Sequence, residues 1–191
     1  MAVYQIKNKR IATSGQALQG FINGLGDNKA TGLEILSRHG IIDPKSDQWY
    51  SLHDYLQAFR ELESSLGPAA LYSVGSKIPE AAALPPEIDT LEKALASIDI
   101  AYHMNHAIDG TPMFNPATGK KTSGMGGYEF KITGDGEAEI TADNPYPTSF
   151  DEGLIFAMAQ RFNTASMVQV IEERSSRNKG GDKDVYLVQW F

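Results

Sequence analysis

Tyr128-Glu129-Phe130-Lys131-Ile132-Thr133-Gly134-Asp135-Gly136-Glu137-Ala138-Glu139-Ile140-Thr141-Ala142 is the stretch that decides the fold class. Tyr128, Phe130 and Ile132 alternate with Glu129, Lys131 and Thr133. A period of two sends one row of side chains into a core and the other into water, so residues 128–133 are expected to form a strand. Asp135-Gly136 is a tight-turn pair, and residues 138–142 return as the antiparallel partner. A second hairpin is expected from residues 166–173 and 184–191, joined by the polar loop 175–183. Between the hairpins, Ser149 reads as the N-cap of a helix with Phe150, Leu154, Met158 and Phe162 on one face.

Upstream of Gly110 the period lengthens to that of a helix. Ala17, Leu18, Phe21, Ile22 and Leu25 recur at helical spacing, with Ser14 as N-cap and Gly26 as stop. A short helix over 31–39 ends at Gly40. After Ser51, the residues Leu52, Tyr55, Leu56, Phe59, Leu62 and Leu66 line one face of the clearest amphipathic helix, which Gly67-Pro68 terminates. A further short helix is expected over 71–78 and a long one over 90–108. Helices followed by strand pairs predict an α+β fold, with N-terminal helices packed on a C-terminal antiparallel sheet of two hairpins with an intervening helix. Residues 1–191 read as a single domain of ligand-binding type.

Composition excludes several chemistries. The chain has 191 residues and no cysteine, so disulfides, thiolate nucleophiles and Cys-borne metal sites are absent. A formal charge of −7 argues against nucleic acid, which needs a basic surface. No apolar run reaches the ~20 residues of a membrane span, and a Cys-free acidic chain is expected in the cytoplasm. Lys120-Lys121 and the basic residues of 174–183 read as solvated turns.

The candidate site is Asp99-Ile100-Ala101-Tyr102-His103-Met104-Asn105-His106. On a helix, Leu91, Leu95, Ile98, Tyr102 and Asn105 form one band, with His106 at its edge and His103 one turn above Asp99. A core-facing stripe that ends in Tyr, Asn and His suggests a pocket, because buried polar groups need partners. Asp99, Tyr102, His103, Asn105 and His106 are therefore candidate ligand-binding residues. Tyr146, stiffened by Pro145 and Pro147, is a candidate for the wall of the same pocket. His103 and His106, three apart on a helix, are also candidate metal ligands, and a single helical histidine is chemically able to hold heme. The Asp99 carboxylate is expected to accept from His103 Nδ1. Gly119-Lys120-Lys121-Thr122 lacks the leading glycine of a phosphate loop, with Phe114 in its place. No Gly-x-Ser-x-Gly elbow occurs.

From Leu71 onward the sequence resembles a known group. The carriers are Leu71-Tyr72-x-Val74-Gly75-x-Lys77-Ile78-Pro79, Pro85-Pro86-x-Ile88, the run Ala94 to His106, and Asn144-Pro145-Tyr146-Pro147-x-x-Phe150-Asp151-x-Gly153. Tyr186-x-Val188-x-Trp190, after Lys179-Gly180-Gly181-Asp182, completes them. The group is one of small bacterial proteins related to the 4-vinyl reductase domain, with heme–nitric oxide binding domains and TRAPP subunits as wider relatives. The resemblance implies an α+β fold, often dimeric, that encloses small apolar molecules between helices and sheet. It also implies that His103 or His106 stands where heme-binding relatives carry their iron ligand. The Tyr-x-Ser-x-Arg propionate motif of those relatives is absent. The leading expectation is a non-catalytic sensory or binding domain for a small apolar or aromatic molecule, acting as a homodimer. The alternative is a heme- or metal-dependent enzyme or gas sensor.

Overall fold

The computed structural model describes residues 2–170 and 176–191. Strand β1 (Ile11–Ser14) leads into helix α1 (Gly15–Gly24). There Ser14 is the N-cap, its hydroxyl accepting from the Ala17 amide at 3.1 Å. Helix α2 (Lys29–Arg38), strand β2 (Trp49–Ser51) and helix α3 (Leu52–Leu66) follow, with Ser51 as the N-cap of α3. Gly67, at φ 81°, makes the sharp turn into α4 (Pro68–Ala81), and Pro68 starts that helix where its missing N–H costs nothing. Thus α4 is longer than the 71–78 expected, with Pro79 tolerated in its last turn.

Helix α5 (Leu91–Met104) is shorter than the 90–108 expected. Its continuation is strand β3 (His106–Ile108), followed by the short strands β4 (Thr111–Pro112), β5 (Phe114–Asn115) and β6 (Lys120–Lys121). Strands β2-β1-β3-β4 form an antiparallel sheet that periodicity did not reveal, because strands of two to four residues are too short to show one. The glycine-rich segment 110–127 is therefore built structure, with β5 paired to β6.

The deciding hairpin is present as β7 (Gly127–Gly134) and β8 (Glu137–Asp143) around Asp135-Gly136. Ile132 departs from the expected alternation: it is 57% exposed on an edge strand. Helix α6 (Thr148–Phe162) begins one residue before Ser149, and its N-cap is Pro147. Strands β9 (Met167–Val170) and β10 (Asp184–Gln189) pair antiparallel, giving the sheet order β7-β8-β10-β9. Residues 171–173 of the expected strand 166–173 lie outside the described residues. The expected α+β arrangement holds, with the N-terminal sheet added to it.

Two apolar cores result. One joins α1, α2, α3 and α4 through Leu18, Phe21, Leu36, Phe59, Leu62 and Val74; the other joins α5 and α6 to the sheet through Leu95, Ile98, Ile155, Ile140 and Tyr186. Helix α4 crosses α6 backbone to backbone. A Cβ on Gly75 would strike the Phe150 carbonyl, and one on Gly153 would strike the Tyr72 carbonyl. Helix α4 is also approached by α1: a Cβ on Gly24 would lie 2.6 Å from Val74 Cα. Alanine favours a helix interior over glycine by about 1 kcal/mol. Gly153→Ala should nonetheless destabilise the protein by about 1–3 kcal/mol, as overpacking does. A thermal melt with an unchanged or higher midpoint would refute the close crossing.

Candidate functional site

The site begins where α5 stops. Asn105 Nδ2 donates to the Ala101 carbonyl at 3.0 Å, and its Oδ1 accepts from Ser14 Oγ at 2.7 Å. The Ser14 amide also donates to the Asn105 carbonyl at 2.9 Å. The end of α5 is thus tied to the start of α1, and His106 leaves the helix as the first residue of β3, opposite Thr13.

His106 is 3% exposed. Its Nδ1–H donates to the Tyr102 carbonyl at 2.7 Å, which leaves Nε2 as an acceptor for the Tyr146 hydroxyl at 2.9 Å. Burial among aromatic rings pushes its pKa down to about 4, so the imidazole is neutral at neutral pH. Tyr146 is aimed by its own corner: the Asn144 side chain accepts the Tyr146 amide at 2.8 Å, an Asx turn held between two prolines. Behind that corner lies a buried ionic network. Arg177 donates to Asp151 at 2.8 Å, to Asp184 at 2.6 Å, and to the Asn144 carbonyl. Arg177 is only 9% exposed, so this part of the basic segment 174–183 is a buried clamp and not a solvated turn. Burial raises the Asp151 pKa to about 6, against the opposing pull of Arg177.

Between the two cores sits an apolar, partly open cavity of about 150 Å³. The start of α1, the end of α4 and α6 (Leu154, Met158) form its aliphatic side, and Tyr55, Tyr102, Tyr128, Tyr146, Phe150 and His106 form its aromatic side. These rings touch edge to face: Tyr102 and Tyr128 have centroids 5.4 Å apart, Tyr55 and Tyr146 6.4 Å, and Tyr146 stacks on Phe150 at 5.2 Å. The Tyr102 hydroxyl donates to the Met125 carbonyl at 2.7 Å, and that of Tyr128 to Asp151 at 2.6 Å.

The expected residues are divided between two places. Tyr102, Asn105, His106 and Tyr146 line the cavity. Asp99 and His103 line a separate, more polar cleft with Lys121, Thr122 and Ser123. His103 Nδ1–H donates to the Asp99 backbone carbonyl at 2.8 Å, while the carboxylate expected to accept it stands 3.5 Å away. That carboxylate instead accepts the Tyr128 amide at 2.8 Å and the Lys121 ammonium. The reason is geometric: β7 passes so close that Gly127 has no room for a Cβ beside Asp99. Among the described residues no three His, Asp or Glu side chains converge as a metal site. Sequence reasoning missed Tyr55, Tyr128 and Phe150 as cavity residues. The available signal was a tyrosine on the leucine-rich face of α3, since a buried phenol calls for a partner.

No family model matches the chain, and no curated protein matches its sequence. Solved structures do match. An H-NOX protein from S. oneidensis in the Fe(II)NO ligation state aligns with TM-score 0.65 and 12% identity, covering 93% of this chain and 99% of that one. An oxygen-binding H-NOX domain related to soluble guanylate cyclases aligns at 0.57 with 15% identity, covering 93% and 94%. The Fe(II) unliganded H-NOX protein from K. algicida aligns at 0.57 with 13% identity, covering 93% and 96%. The chain has the H-NOX fold. At these identities the likeness is one of architecture. No helix among the described residues is long and apolar enough to cross a membrane.

The depressed pKa of His106 has a signed consequence. The unfolded chain takes up the proton near pH 6.5 and the folded one only near 4, so stability present above 6.5 is lost as pH falls, by up to about 3 kcal/mol. Asp151, raised to about 6, acts in the opposite direction. Comparison with His106→Gln cancels the Asp151 contribution. In urea denaturation the stability advantage of the native protein over the variant should shrink between pH 7 and 4.5. A constant difference would contradict a buried neutral imidazole.

Proposed function

We propose that this chain is a sensory or carrier domain that binds one small apolar or aromatic molecule in the cavity beneath Tyr102, His106 and Tyr146. The observation that carries this reading is the cavity itself. It is apolar and ring-walled, and it lies where both hydrophobic cores would otherwise meet. Interiors normally close such space, since a void forfeits packing. Occupants of a cavity near 150 Å³ are of benzene size. Kinship with 4-vinyl reductase-type proteins, a cytoplasmic location and a homodimeric state belong to the same proposal.

A heme-dependent gas sensor or enzyme is the second reading, favoured by the shared fold and by a histidine in the cavity wall. The cavity as built does not fit that group. Neither lysine nor arginine is among the residues lining it to neutralise propionates, and its volume is well below the ~300–1,000 Å³ clefts of larger ligands. His106 Nε2 is already engaged by Tyr146.

Two measurements separate the readings. Native mass spectrometry of protein purified from the cells that make it, followed by denaturing extraction, should release a neutral molecule of one or two rings. Hemin added to the protein should give no stoichiometric Soret shift. A one-to-one Soret species would replace the first reading with the second. A ligand-free protein that also takes up no aromatic probe would remove the first.

A further inference from the structure

Tyr55 is 2% exposed and lines the cavity, yet its hydroxyl has no hydrogen-bond partner among the described residues. Every other ring hydroxyl there is engaged: Tyr102 with Met125, Tyr128 with Asp151, Tyr146 with His106. That hydroxyl is not among the closed-off polar atoms that lack a partner, so it opens onto the cavity space, where a free phenol is an unused recognition element. Its ring is fixed by Phe21 at 5.4 Å and Phe59 at 4.8 Å, so the hydroxyl has little freedom to seek a partner elsewhere. The same lining contains no Asp, Glu, Lys or Arg. A charged occupant would lose its hydration with no counter-ion to replace it.

Resting on the cavity-binding reading above, we propose that the ligand is an uncharged single-ring molecule with one hydroxyl or carbonyl, which Tyr55 recognises by a hydrogen bond. Ring size follows from the volume, neutrality from the uncharged lining, the polar atom from the unengaged Tyr55 hydroxyl. Tyr55 thereby acts as the specificity-determining residue, and the His106–Tyr146 pair as a wall already satisfied before binding.

Phenol and toluene test this, because they match in size and differ by a hydroxyl against a methyl. Water holds phenol more strongly, so a cavity without a free partner would prefer toluene. Calorimetric titration of the full chain should show phenol binding at least as tightly as toluene, and benzoate not binding. In Tyr55→Phe, phenol should weaken by about fivefold or more, the span of one hydrogen bond, with toluene unchanged. The variant should melt no lower than the native protein, since the hydroxyl it removes makes no hydrogen bond there. Toluene binding with phenol excluded, or phenol unaffected by Tyr55→Phe, would overturn the role of Tyr55 and leave the cavity reading standing. A clearly lowered melt would also overturn it, by revealing a structural partner for the hydroxyl. Failure of both phenol and toluene to bind would overturn the cavity reading and this inference together.

Discussion

The close passage of α4 over α6 is the constraint on which the rest of the structure depends. Gly75 and Gly153 let two backbones meet with no side chain between them, and Gly24 gives α1 a near approach to α4 at Val74. Three helices are thereby fixed as a slab. The slab holds Phe150, Leu154 and Met158 on one side of the cavity and the end of α4 on another. Helices set this close lack the freedom to slide together and close the space between the two cores. The cavity is held open by that geometry, in a position where packing rules alone would have filled it.

A second constraint governs polarity. The aromatic cage brings four tyrosines and a histidine into one apolar region, and each polar tip must be satisfied or accept a penalty. Backbone carbonyls take the Tyr102 hydroxyl and the His106 Nδ1–H, and the Tyr146 hydroxyl closes on His106 Nε2. Holding Tyr146 in that pose needs the Asn144 corner, which needs Arg177 buried between Asp151 and Asp184. Loss of one partner from such a buried set leaves an uncompensated charge and costs far more than a surface pair. The far end of the chain thus controls the shape of a pocket built largely by its first two-thirds.

The α+β order, the capped helix at Ser14, the amphipathic helix after Ser51 and the hairpin around Asp135-Gly136 were legible because each has a local cause: a periodicity, a cap or a turn pair. The sheet β2-β1-β3-β4 was not, since its strands pair across as many as 97 positions, Ile11 with Ile108. Tyr102, Asn105, His106 and Tyr146 could be found as polar residues ending an apolar stripe or stiffened by proline. Their separation from Asp99 and His103 could not. It depends on α5 ending at Met104, which a hydrogen bond between Ser14 and Asn105 secures across the length of the helical region. Arg177 was misread for the same reason: its two aspartate partners are 26 and 7 residues away, and nothing in the local composition announces them.

The most direct test of a ring-walled cavity between two cores is diffraction from crystals held under xenon pressure. Dry apolar cavities of this size admit xenon, and filled or polar ones do not. In crystals of protein stripped of its bound molecule, a xenon atom should appear against Tyr55, Tyr146 and Phe150, with the α4–α6 crossing undisturbed. Absence of xenon there, with the rings closed together and no space between them, would contradict the cavity and the binding role drawn from it.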